Sequence, residues 1–207
     1  GGLGNEGSAT ITTLNNSGTI SAVDDYGMWN DYTATITTLT NTGTISAAGN
    51  DIGIWNAATA TFTTLNNSQG ASGSALTYKG KLPTNYNVIA NNIADYGKTE
   101  FSSVSGTTNF GVDSSSTLAG STTYSAVVDG LSSGDIASGT SGTFTSGGAS
   151  VDWTLENSAG TTWDLITAVA IATDNTNTSI TTHTKENVLA GLNNLNYVTE
   201  VNFANMN

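Results

Sequence analysis

Apolar residues come in short bursts among threonines and asparagines over the first third of the chain, and the bursts recur. Ile11 and Leu14 stand in one such setting, Ile36 and Leu39 in a second, Phe62 and Leu65 in a third. The copies span residues 2–14, 27–39 and 53–65. Their first glycines, Gly2, Gly27 and Gly53, lie 25 and 26 residues apart, as do Leu14, Leu39 and Leu65. A fixed period in the twenties marks stacked units, each burying its apolar face against the next. One period holds three strand-like pieces, 34–39, 43–47 and 53–56, separated by turn-rich Thr40-Asn41-Thr42 and by residues 48–51. β-Branched residues favour the strands, whereas Asn, Gly and Ser favour the corners. Three strands and three corners in about 25 residues predict one coil of a right-handed parallel β-helix, with coils about 4.8 Å apart.

Stacking predicts columns of like residues. Ile11, Ile36 and Phe62 form one column, Leu14, Leu39 and Leu65 a second; Ile20 falls on Ile45, and Trp29 on Trp55. All four columns, the tryptophans included, are expected to point inward, because the solenoid core is where such side chains are hidden from water. Asn5, Asn30 and Asn56 align, as do Asn16, Asn41 and Asn67. At corners such amides are expected to hydrogen-bond along the stack, as in cross-β ladders. The extra residue of the longer lap falls in 48–51, a loop where insertion costs least.

The repeat ends near Gly70, giving a first region of residues 1–70. An open last rung is an edge that needs covering, and residues 71–166 are expected to be an all-β cap. Strand candidates there are 76–78, 86–90, 99–104, 109–112, 123–128, 143–146, 151–155 and 162–166. Residues 167–207 form a polar connector and then an amphipathic helical tail. Val188, Leu189, Leu192, Leu195, Val198 and Val201 recur at helical spacing after a Thr184 N-cap.

Composition narrows the partners. Charged residues are 10% of the 207, and the net charge is −12 with four lysines and no arginine. Nucleic acid and anionic membrane surfaces both select clustered Lys and Arg, so both are poor partners. Cysteine is absent, which excludes disulfides and thiolate metal sites. The sequence contains neither a signal peptide nor a transmembrane run, and Gly1 already lies inside a repeat, as in a piece of something longer.

The stretch Ile-Thr-Thr-Leu-Asn-Asn-Ser-Gly-Thr-Ile-Ser at 11–21, with its copy at 36–46, resembles the passenger domains of Gram-negative autotransporters. Leu76-Thr77-Tyr78-Lys79-Gly80-Lys81-Leu82-Pro83, with Tyr96-Gly97 and residues 109–113, resembles the autochaperone cap of such passengers. Trp153-Thr154-Leu155 and Trp163-Asp164-Leu165 are similar to its last hairpin. The resemblance covers residues 1–166. It implies a β-helix exported across an outer membrane through its own downstream barrel, with the cap nucleating folding and the tail threading the pore. Glu200-Val201-Asn202 is similar to a cleavage region of some members, although the residues after it depart from that pattern.

Chemical signals are sparse. Residues 1–6 resemble a single calcium nonapeptide, but such sites need stacked copies to supply enough oxygens. Gly130-Leu131-Ser132-Ser133-Gly134 fits a nucleophile elbow, which requires a strand-to-helix turn and a histidine base. His183 stands alone, so it forms no multi-histidine metal site. Asp24, Asp25, Asp31 and Asp51 read as solvated loop carboxylates. No catalytic residue, metal ligand or cofactor is expected. Alternation places Thr10, Thr12, Thr35, Thr37, Thr61 and Thr63 outward, a threonine array resembling the surface of ice-binding β-solenoids. The expectation is a non-enzymatic extracellular or cell-surface module that adheres to a host or cell surface, or associates with itself into filaments; the alternative is ice binding.

Overall fold

The computed structural model describes residues 2–49, 52–146 and 149–169, all within one compact unit. The expected terminal helix, His183 and Asp51 lie outside the described residues. Every regular element described is a strand. The first lap comprises β1 (Leu3–Asn5), β2 (Thr10–Asn16) and β3 (Thr19–Ala22). The second comprises β4 (Tyr26–Asn30), β5 (Thr35–Asn41) and β6 (Thr44–Ala47). β7 (Ile52–Asn56) and β8 (Thr61–Asn67) follow, then β9 (Leu76–Lys81), β10 (Asn85–Val88) and a small hairpin of β11 (Ala90–Asn92) and β12 (Asp95–Tyr96). Next come β13 (Thr99–Ser105), β14 (Thr108–Val112), β15 (Thr123–Asp129) and β16 (Ile136–Ser138). The last described elements are β17 (Ser141–Ser146), β18 (Ala149–Ala159) and β19 (Thr162–Val169).

These strands build a parallel β-solenoid of about five turns. One long side is a nine-stranded sheet, β1-β4-β7-β9-β13-β15-β19-β18-β17, and the other is a six-stranded sheet, β2-β5-β8-β10-β14-β16. The third side holds β3 on β6. The sequence repeat stops near Gly70, yet the winding does not. Ile54 lies beside Tyr78, and Tyr78 beside Phe101, so the later laps take 24 and 23 residues. The position that a further tryptophan would occupy is Lys79, beside Trp55.

The columns continue while their chemistry changes. Leu14, Leu39 and Leu65 lie in register, and Tyr86 and Phe110 extend the column. Tyr86 meets Phe101 edge-on at 5.5 Å, and Tyr78 packs on Phe101 at 5.4 Å. The core is therefore aliphatic in the early laps and aromatic in the later ones. The change coincides with the end of the regular third side, where larger rings fill a cross-section that no third strand closes.

Gln69 marks that transition. Its Oε1 accepts from the Ile45 amide at 2.8 Å and from Asn41 Nδ2 at 3.0 Å, while its Nε2 donates to the Ile45 carbonyl at 3.2 Å. One side-chain amide thus takes the hydrogen bonds that the next strand on β6 would have made, which satisfies an edge otherwise left open.

At the far end the pairing reverses. β19 runs antiparallel to β15, and β18 and β17 follow antiparallel. Trp163 donates its indole N–H to the Leu131 carbonyl at 2.8 Å, and Trp153 meets Phe110 at 5.8 Å. This hairpin covers the last parallel strand of the long sheet and seals the aromatic end of the core.

Candidate functional site

Outward side chains of the six-stranded sheet form a lattice. Thr10, Thr35 and Thr61 lie in register, and so do Thr13, Thr38 and Thr64. Thr12, Thr37 and Thr63 occupy the intervening outward positions. Thr10, Thr12 and Thr61 are exposed, whereas Thr35, Thr37 and Thr63 are half-buried. The threonine array ends after three rungs, and amides continue its columns. Asn109 donates to Asn85 at 3.2 Å, Ser138 to Asn109 at 2.6 Å, and Asn87 to Asn66 at 2.9 Å. None of the six strands contains a charged residue. The opposite sheet, by contrast, carries Lys79, Lys81, Glu100 and Asp129.

Two buried amide ladders run along the corners. Asn5 donates to Asn30, and Asn30 to Asn56, each at 2.8 Å. Asn16 donates to Asn41 at 2.8 Å, and Asn41 to Asn67 at 3.0 Å. Each ladder ends on a tyrosine network. Asn56 and the Tyr78 hydroxyl both donate to the Lys81 carbonyl, at 2.8 and 2.6 Å. Asn67 donates to Thr99, Thr99 to the Tyr86 hydroxyl, and Tyr86 to the Val127 carbonyl. Burial pushes the Tyr86 phenol up to about 12, against smaller opposing effects of Thr99 and Asn67, and raises the Tyr78 phenol further.

The tryptophans correct an expectation. Trp29 and Trp55 are in register, but both are half-buried and face outward, while Met28 and Ile54 beside them are fully buried. Strand alternation allows one of two neighbours inside, and the slimmer Met and Ile fit the narrow interior. Trp29 instead lies across Gly4 and donates its indole N–H to Glu6 Oε1 at 2.6 Å. Trp55 stacks on Tyr26 at 5.1 Å with ring planes 14° apart. Sequence reasoning missed this cluster; the available signal was Gly4, which leaves room in the first lap where the second and third carry Trp.

The nucleophile-elbow pattern folds as a turn. Ser132 Oγ and its amide both donate to Asp135 Oδ2, at 2.7 and 2.8 Å, and the next element is the strand β16. Among the described residues no three histidine, aspartate or glutamate side chains converge as a metal site. Fold and surface together define a parallel β-solenoid with one uncharged polar face. Comparison with family models, curated proteins and solved structures finds no match.

Proposed function

We propose that the chain is a non-enzymatic structural or adhesive module of the cell surface, the C-terminal part of an autotransporter passenger. On this reading it is exported across a Gram-negative outer membrane. The observation that carries the reading is the outward face of the six-stranded sheet. It is regular, rich in hydroxyls and amides, and free of charge, so it can approach another polar surface without desolvating an ion. Contact spread over many weak hydrogen bonds suits adhesion or lateral self-association better than capture of a small substrate. On this reading residues 71–166 are the passenger cap, closed by the antiparallel strands β17, β18 and β19, and an outer-membrane barrel would anchor the whole.

The test is attachment to cells and sedimentation of the purified chain, compared with a Thr37→Lys/Thr63→Lys variant. Charge on the face is expected to abolish attachment or self-association while circular dichroism stays unchanged. Unchanged attachment and sedimentation would refute the assignment of this face. A hydrolase activity lost on Ser132→Ala would refute the non-enzymatic part.

Ice binding is a second reading, favoured by the in-register rows headed by Thr10 and Thr13. It predicts thermal hysteresis that disappears on Thr37→Lys; an adhesive module shows none.

A further inference from the structure

The outward aromatic cluster encloses a recess of about 330 Å³, lined by Gly2, Asp24, Asp25, Tyr26, Trp29 and Trp55. Three features set its chemistry. First, the rings are held in place before any ligand arrives. Trp29 is tethered to Glu6 and seated on Gly4, where an added Cβ would collide with the indole. Trp55 and Tyr26 brace one another face to face. Second, two carboxylates lie beside the rings, and among the described residues no lysine lines the recess. Third, the chain as a whole carries a net charge of −12, so the surrounding field adds to the local one.

An aromatic face presents negative potential, and a cation placed over it is attracted, most strongly by Trp. Neighbouring carboxylates add to that attraction. A well-hydrated ion such as sodium gains little at such faces, because it must give up its water. A methylated ammonium is apolar on its surface and charged overall, so it suits rings and carboxylates together. We infer that the recess bounded by Tyr26, Trp29 and Trp55, with Asp24 and Asp25 at its edge, binds a quaternary or methylated ammonium group. The site lies on the charged long sheet, away from the uncharged face, and stands whether or not that face is adhesive.

Isothermal titration of the full chain with choline chloride tests the site, at low and at physiological salt. Saturable binding is expected, roughly millimolar for an exposed cation–π site, and weaker in salt. The matched control is 3,3-dimethylbutan-1-ol, which has the same shape without the charge and is expected to bind at least about tenfold more weakly. Trp55→Ala is expected to weaken choline roughly two- to fivefold. Asp24→Asn/Asp25→Asn is expected to weaken it by a similar factor and to reduce the salt dependence, the remaining net charge of the chain still contributing. This double variant also guards against a folding artefact, since both side chains are exposed and Asn, like Asp, tolerates the left-handed backbone of Asp25 (φ 66°). The inference is overturned if choline gives no saturable heat, if the neutral analogue or methyl glucoside binds as well as choline, or if the double variant keeps full affinity.

Discussion

Single side chains decide more in this fold than their size suggests. Asn41 is fully buried and holds both neighbours of its ladder, accepting from Asn16 and donating to Asn67 and Gln69. Replacing it by alanine removes one hydrogen bond from each of Asn16 Nδ2, Asn67 Oδ1 and Gln69 Oε1, which keep only their bonds to the Thr44 carbonyl, the Gln69 amide and the Ile45 amide, and breaks the ladder between them. Asn41→Ala is therefore expected to cost about 2–4 kcal/mol, measured as a shift in urea midpoint at constant slope. Thr108 gives the opposite case. Its Oγ1 is buried and, among the described residues, is the one side-chain polar atom of that kind without a hydrogen-bond partner. Thr108→Val removes the unsatisfied group with little change of shape, and a gain of about 1 kcal/mol is expected by thermal melting. The buried tyrosines set an alkaline limit. Unfolded phenols ionise near 10.0, whereas folded Tyr86 holds its proton to about 12 and Tyr78 beyond that. Their contribution is complete below pH 10. Above it the unfolded chain sheds protons that the folded chain keeps, so stability falls as pH rises, by up to ~1.4 kcal/mol per pH unit for each phenol. Urea midpoints from pH 8 to 12 are expected to show this fall, with a shallower slope for Tyr86→Phe.

At the scale of an element, the question is how an edge is closed. The β6 edge is closed by a side chain, and the β15 edge by a strand. Gln69 makes its bonds to Ile45 through one amide, so Gln69→Leu keeps the bulk and removes the closure. Faster hydrogen exchange at the Ile45 amide is expected, together with a loss of about 1–3 kcal/mol. If that amide stays protected, Gln69 is not what closes the edge. The β15 edge faces antiparallel β19, with Trp163 packed beneath. That closure buries large rings, which one amide cannot do, so the two edges differ in robustness although both satisfy backbone groups.

At the scale of the molecule, each lap pairs with its neighbours along the stack among the described residues, as in other solenoids. Stability is then a gradient rather than one number. In the first lap Leu3, Ile11, Leu14 and Ile20 are half-buried, while their counterparts one lap on, Met28, Ile36, Leu39 and Ile45, are at most 1% exposed. Native-state hydrogen exchange on this chain is expected to show protection lowest in β1–β3 and highest in β13, β15 and β19. Equal protection along the axis would mean that the laps unfold as one unit.

Period, columns and corner amides were all legible in residues 1–70, because stacking in register requires like residues one lap apart, and repetition in space leaves repetition in sequence. Past Gly70 the same winding continues without that trace. Lys79 sits over Trp55, and Tyr86 over Leu65, where laps of varying length and a lost third side admit unlike neighbours. Alternation along a strand told which residues share a face. It did not tell which face is inside, so Trp29 and Trp55 were expected within the core. The interior width decided that, and width belongs to the assembled stack: it depends on how far apart two sheets settle, which no local run of residues specifies. For the same reason the Gln69 closure and the recess at Tyr26 exist only once separate laps are brought side by side.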